Sequence, residues 1–351
     1  MRAAVLQHGH VDVRIIADPK PAAGQLLVRS LACGICASDI HYMDHPEAGA
    51  YDDSGMTTYD QNAEIVMGHE YCAEVIDYGP GTERLIPLGT RVSSLPILRT
   101  SAGRKIIGQN PDSPGGFGEF LLLDEALARV IRSDLPSEMV CLADGISVGW
   151  SAAYRAALTT REIPIVVGCG AIGLAVVATL KRLGVGPILA VDFTASRRAT
   201  ALAMGADVVI DPAEMSPYQA WRDMATAPAE AIKDIVPVTD LPGCVVFECV
   251  GINGVLDSII KGCERGTRIF SVGGPPEGDH LHTMVAKRKG LNIQFGGGPL
   301  PHHWDGALEA VCSGTFDVSP LMGRTVGLDG VSDALKAARN ASGPIRIVVV
   351  P

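Results

Sequence analysis

Apolar residues along this chain follow two rhythms, and the change between them comes near residue 163. Before it, "QLLVRSLACGI", "AEIVMGHEYCAEVIDYG" and "TRVSSLPI" are short apolar or alternating runs broken by Gly, Pro and Asp. That is the pattern of β-strands joined by turns. After it, "IPIVVG" reads as a buried strand and "AIGLAVVATLKRLG" as a helix stopped by glycine. "ILAVD", "SRRATALAMGA" and "DVVID" follow as strand, helix and strand. "CVVFECVG", the helical "NGVLDSIIKGCE", "TRIFSVGG" and "LNIQFGGG" continue the series. Strands alternating with helices build a parallel sheet covered on both faces. Beyond Pro299 the elements are mixed again, ending on the strand-like "IRIVVVP". Two stretches read as loops. One is the polar, turn-rich segment His45–Ala63; the other is "FGGGPLPHHWDGAL", where His302 and His303 carry no decodable pattern. The expected fold is α/β. A β-rich domain comes from residues 1–148 and 297–351, and a domain with a doubly wound parallel sheet, 149–296, is inserted in it.

Composition narrows this only in places. A net charge of -10 without long charge runs argues against nucleic acid, whose backbone demands a positive face. The N-terminal "MRAAVLQHGHVDV" lacks the continuous apolar stretch of a secretory signal. The uncharged run Ile163–Leu180 reaches about the 18 residues of a membrane span. Three glycines and a proline interrupt it, however, and a strand followed by a buried helix explains it better. Nine cysteines, an odd number scattered along the chain, read as reduced thiols of a cytoplasmic protein rather than a disulfide frame.

Chemistry gathers in two places. "GCGAIG" fits G-x-G-x-x-G with Gly168, Gly170 and Gly173, follows a predicted strand and opens a predicted helix. The first glycine makes the sharp turn, the second lets backbone approach a pyrophosphate, and the third lets helix and strand pack closely. N–H groups at the start of the helix, around Ala171 and Ile172, then face the phosphates. Nineteen residues after Gly173, Asp192 ends the next strand. Its carboxylate can accept bonds from both ribose hydroxyls and repels a 2′-phosphate, which favours NAD, while Arg197 and Arg198 downstream partly offset that repulsion. A methyltransferase with a related glycine loop is the serious rival on this pattern alone.

The second place is "CGICASDIH" with "GHE" further on. Cys36 and His69 are candidate zinc ligands, since thiolate and imidazole suit a borderline-soft cation. Lone Cys and His residues are more often core residues; here Ser38, Asp39, His41 and Glu70 surround them. Ser38 and Asp39 also suit a helix cap, and His41 a solvated surface. Cys33-x-x-Cys36 is alternatively half of a structural zinc site or a redox pair. The first needs a second close cysteine pair, which the chain lacks.

In order along nearly the whole chain, "MRAAVL", "CGICASDIH", "GHE", "GTRV", "GGFGEFLLL", "ISVGWSAAYRA", the glycine fingerprint, "VFECVG" and "IRIVVV" resemble the medium-chain, zinc-dependent alcohol and polyol dehydrogenases. The resemblance implies a GroES-like catalytic domain beside the Rossmann domain, one catalytic zinc per chain and NAD. It makes Cys36 and His69 zinc ligands. Asp144 falls where alcohol dehydrogenases place a cysteine and polyol dehydrogenases a glutamate. The third ligand is Asp144 or, as in the polyol branch, Glu70, with Asp144 ranked slightly ahead. Many relatives carry a structural zinc on four cysteines after the "RV" strand, whereas no cysteine lies between Cys72 and Cys141 here. Ala37 stands where many relatives have a basic residue for the pyrophosphate.

The implied reaction is reversible oxidation of an alcohol or polyol to an aldehyde or ketone. Zinc lowers the pKa of the substrate hydroxyl and hydride passes to the nicotinamide. Ser38 then receives the proton, the cofactor ribose passes it to His41, and Asp39 orients a ligand histidine. Val250 and Gly251 are expected along the cofactor, and Val272, Gly273 and Gly274 at the nicotinamide amide through backbone groups. Arg346 is expected at the pyrophosphate. Rivals are a zinc-free reductase of the same superfamily and a catalytically silent NAD-binding protein. A small-molecule substrate, no membrane and a homo-oligomer, dimer or tetramer, complete the expectation.

Overall fold

The structure, a computed structural model, describes residues 1–225, 243–275, 277–340 and 343–351. The chain divides into two compact units, Met1–Gly145 with Trp304–Pro351, and Ile146–His303. Each boundary falls inside a helix, Ala143–Ala156 and Pro301–Cys312.

In the first unit the ten-residue strand Gln25–Gly34 is the organising element. It pairs antiparallel with Glu70–Tyr78 and with Phe120–Asp124, and its Cys33–Gly34 end meets the terminal strand Arg346–Val349. Leu26, Val28, Val75, Leu121, Leu123, Ile347 and Val349 are buried in one apolar cluster with Phe117 and Met67. Each such side chain contributes about 1.5–3 kcal/mol on burial, so a one-residue slip that turned this face outward would be costly. That register sets Gly34 opposite Glu70 and Cys33 opposite Tyr71. It therefore brings the segment after Gly34 alongside the residues before Tyr71. A smaller sheet joins His10–Ile15, Arg2–Gln7 and Ile65–Val66. The cysteine-free stretch after the Arg91–Ser94 strand forms a hairpin, Ile97–Thr100 with Gly103–Ile106.

The second unit holds a six-stranded, all-parallel sheet. Counted along the chain, its strands are Glu162–Val167, Leu189–Val191, Val208–Ile210, Gly243–Glu248, Arg268–Ser271 and Asn292–Phe295. Their order across the sheet is 3-2-1-4-5-6, so the direction of winding reverses beside the first strand. The apolar run from Ile163 splits into that first strand and the helix Ala171–Arg182, which ends before Gly184 at a φ of 71°. Among the described residues no helix is long and apolar enough to cross a membrane.

Two stretches depart from the loop readings. Pro46–Tyr51 is a 3₁₀ helix inside the polar segment. "PHHWDGAL" is not a loop but the start of the helix Pro301–Cys312, whose Trp304, Ala307, Leu308 and Val311 are buried. The spacing of those four, i, i+3, i+4 and i+7, is a helical stripe, and the proline fits the first helical turn.

Candidate active site

The helix Ala37–Asp44 starts at Cys36, and Asp39 serves both roles open to it. Its Oδ2 accepts the Cys36 N–H at 2.9 Å, which caps the helix, while its Oδ1 is 3.0 Å from His69 Nδ1. A carboxylate on Nδ1 fixes that nitrogen as the donor and leaves Nε2 for a cation. Ser38 Oγ lies 3.2 Å from Nε2. Asp39 is 1% exposed and Glu70 fully buried, so this is a charged cluster withdrawn from water.

One ligand atom each from Cys36, His69 and Glu70 lies within 4.8 Å of the others. Asp144, ranked ahead of Glu70 from the sequence, is outside this group; its Oδ1 accepts the Trp304 indole N–H at 2.9 Å. The donor set is one thiol, one imidazole and one carboxylate, a combination suited to zinc. Glu70 Oε2 is buried with no hydrogen-bond partner. A buried carboxylate oxygen left so is costly unless a cation meets it, and the donor set therefore fits a divalent metal. The neighbourhood favours positive charge in other ways too. Burial alone would lower the His69 pKa, but the charge and hydrogen bond of Asp39, with Cys36 alongside, hold it well above its ordinary value. Burial, helped by the Glu70 charge, pushes the Asp144 carboxyl up to about 6 against the pull of His69 and Arg346.

Arg346, expected at a pyrophosphate, also meets this cluster. Its guanidinium is buried, donating to Glu70 Oε1 at 3.0 Å and to the Ile35 carbonyl at 3.1 Å. It neutralises the carboxylate from the side away from Oε2 and leaves that oxygen unspent. Gly145 makes room for it. A methyl group there would press on the Arg346 guanidinium and come within 2.8 Å of Glu70 Oε1.

In the second unit Gly168 and Gly173 supply the sharp turn and the close packing that their pattern predicts. Gly168 takes a φ of 94°, and a side chain on Gly173 would collide with the Gly168 carbonyl. A Cβ on Gly170 would meet nothing within 4 Å, which leaves that side of the loop open to a ligand. Gly170 is also the cap of helix Ala171–Arg182 and has no side-chain bond on it, so the first-turn N–H groups, including those of Ala171 and Ile172, are available to an anion. Asp192 is tied to this loop: its oxygens accept the Cys169 N–H at 2.8 Å and the Thr194 N–H at 2.7 Å. Each carboxylate oxygen keeps a second lone pair for a ribose hydroxyl. Arg198 is engaged with Asp211 at 2.8 Å, whereas Arg197 Nε is buried without a hydrogen-bond partner.

Glu248 escaped the sequence reading, although a carboxylate closing the apolar strand "CVVFE" was a visible signal. It is buried, accepts the Val250 and Gly251 N–H groups at 2.7 and 2.8 Å, and takes the Ser271 hydroxyl at 3.2 Å. It thereby braces the loops after the fourth and fifth strands. The Val272 and Gly273 N–H groups turn inward to the Glu248 carbonyl at 2.8 and 3.0 Å. A carboxamide meeting this "VGG" loop would therefore meet carbonyl acceptors rather than those two donors.

Comparison with known proteins agrees along the whole chain. The family model "Alcohol dehydrogenase GroES-like domain" matches residues 22–133, and "Zinc-binding dehydrogenase" matches residues 171–313. (R,R)-butanediol dehydrogenase of Bacillus subtilis is 26% identical over 98% of this chain and 98% of its own. Sorbitol dehydrogenase of Rattus norvegicus is 26% identical over 97% of this chain and 93% of its own. The crystal structure of the Bacillus subtilis 2R,3R-butanediol dehydrogenase superposes with a TM-score of 0.81 at 23% identity, covering 100% of this chain and 99% of that one.

Proposed function

The chain belongs to the medium-chain, zinc-dependent alcohol and polyol dehydrogenase family, and from that premise we propose that Cys36, His69 and Glu70 hold its catalytic zinc. It is an NAD-dependent oxidoreductase that interconverts an alcohol or polyol with the aldehyde or ketone. The observation that carries the ligand assignment is the convergence of these three donors around a buried, unpartnered Glu70 oxygen.

When bound, zinc lowers the pKa of the substrate hydroxyl and NAD takes the hydride. The protein's own part is to position and to move a proton. Asp39 orients His69, and Arg346 holds Glu70 by one oxygen only. Ser38, beside His69 Nε2, is the first acceptor of the hydroxyl proton; His41, one helical turn further, is the outer base. Gly168, Gly170 and Gly173 with the first-turn N–H groups of Ala171 and Ile172 take the pyrophosphate, and Asp192 the adenosine ribose, with Arg197 nearby. Val250, Val272, Gly273 and Gly274 border the nicotinamide. Diols and polyols with neighbouring hydroxyls are the first substrates to try, because the named relatives act on butanediol and sorbitol. The same reading takes the protein as a cytoplasmic homo-oligomer, in keeping with nine free cysteines.

The test joins metal analysis to a panel of alcohols, diols and polyols with NAD, followed by reduced-cofactor absorbance, on wild type and Glu70→Ala. Wild type carries one zinc per chain and turns over, whereas Glu70→Ala loses both properties. Full zinc occupancy in Glu70→Ala would remove Glu70 from the ligand set.

A further inference from the structure

The carboxylate beside the cluster poses a problem that the cluster alone does not solve. Asp144 sits in the first turn of helix Ala143–Ala156, next to Gly145, on which a Cβ would lie 2.8 Å from Glu70 Oε1. A divalent cation held by Cys36, His69 and Glu70 would attract a fourth anionic ligand so near. A site with four protein ligands is closed and structural in kind, whereas catalysis needs one position open. Something must restrain Asp144.

Trp304 is placed to do so. It is 1% exposed, and its indole N–H donates to Asp144 Oδ1 at 2.9 Å. An indole N–H can only donate and a carboxylate can only accept, so the bond has one polarity. The next residue, Asp305, is paired with Arg129 at 2.9 Å, which fixes the start of the helix that carries the indole.

We propose that Trp304 is a positioning residue that latches Asp144 beside the metal site and so keeps the fourth coordination position free for substrate oxygen. This rests on the assignment of Cys36, His69 and Glu70 as ligands. The latch makes an unusual prediction: removing a part-buried hydrogen bond tightens metal binding while it lowers activity.

The test uses the full chain loaded with cobalt(II), whose thiolate charge-transfer band reports Cys36 and whose visible bands report the ligand number and type. In Trp304→Phe the ring stays and the N–H is lost. The visible bands should shift, zinc should resist a competing chelator about tenfold better, and turnover should fall about a hundredfold. Adding Asp144→Ala to Trp304→Phe should return bands and chelator resistance to wild-type values. Asp144→Asn alone keeps an acceptor for the indole, and it should leave the bands and zinc affinity unchanged. That variant decides the matter should Trp304→Phe fail to fold, since weakened zinc binding in it would make Asp144 a ligand and end the proposal. Wild-type bands and affinity in Trp304→Phe would end it as well. A wild-type protein with no charge-transfer band would instead overturn the ligand assignment itself.

Discussion

The cluster around His69 and the glycine loop solve opposite problems. Around His69 the chain spends side chains: buried Asp39, Glu70 and Arg346, with the partly buried Asp144, form a charged set tied by hydrogen bonds to Cys36, His69, Trp304 and the Ile35 carbonyl. Around Gly170 it withholds them, so that bare backbone turns and helix N–H groups form the surface offered to a ligand. The first kind of site depends on which atoms are present, and the second on which are missing. Substitutions should therefore fail in different ways. In the cluster they should change affinity and chemistry, and in the loop they should divide cleanly between folding and binding.

Cys36→Ala should do the greatest damage. Loss of a soft ligand removes the metal, and with it several kcal/mol of transition-state stabilisation, so kcat/KM should fall about a thousandfold or more. Metal analysis of the purified variant should find less than one zinc per chain, and near-full occupancy would mean that Cys36 is not a ligand. Asp39→Asn is the next step down. It keeps a polar group of the same shape beside Cys36 and His69 but removes the charge that holds the imidazole. Zinc affinity, measured against a chelator, should weaken about 10- to 100-fold. An unchanged affinity would reduce Asp39 to a helix cap.

The glycine loop offers a sharper contrast because its two glycines should part company. Gly173→Val drives a side chain into the Gly168 carbonyl, so it should cost about 1–3 kcal/mol of stability, seen in thermal melting, and NADH binding should weaken with it. Gly170→Ala adds a methyl group that touches no protein atom within 4 Å, at a φ of -74° that alanine adopts freely. Its Tm should match wild type while NADH affinity drops about tenfold, the value of roughly 1.4 kcal/mol at the pyrophosphate. Equal binding by wild type and Gly170→Ala would show that the open face is not where phosphate lies.

This difference also governs what could be read without coordinates. The glycine loop was legible because its constraint is local: strand, turn, helix and the next strand's terminal Asp192 follow one another in sequence. Cys36 and His69 were legible by residue type and neighbours. The order of Asp144 and Glu70 was not, because it depends on pairings distant in sequence. The register of Gln25–Gly34 against Glu70–Tyr78 places Glu70, and a tryptophan 160 residues away engages Asp144. The pairing of Arg346 was illegible for the same reason: its carboxylate partner lies 276 residues from it. The helix Pro301–Cys312 was a plainer miss, because its apolar stripe at 304, 307, 308 and 311 was present to be counted behind two histidines and three glycines.

His41 allows the finest test of the cluster side, because there a charge is tuned rather than removed. It lies one turn beyond Ser38 on helix Ala37–Asp44, partly buried, with its ring 6.3 Å from that of His45. Burial first, and then the His45 charge, lower its pKa from the ordinary value of about 6.5. Asp44 pulls the other way but is itself paired with Arg339 at 2.6 Å. An outer base works only when neutral. A lowered pKa keeps it neutral further into acid, so the acid limb of kcat/KM for alcohol oxidation should lie below pH of about 6.5. His45→Asn removes a like charge, and the limb should move up toward that value. His41→Gln should abolish the limb and slow turnover by about tenfold or less, since water can take over part of a surface base's duty. The two variants separate a relay from a bystander, because a solvated histidine with no part in the reaction would leave the limb where it stood in both.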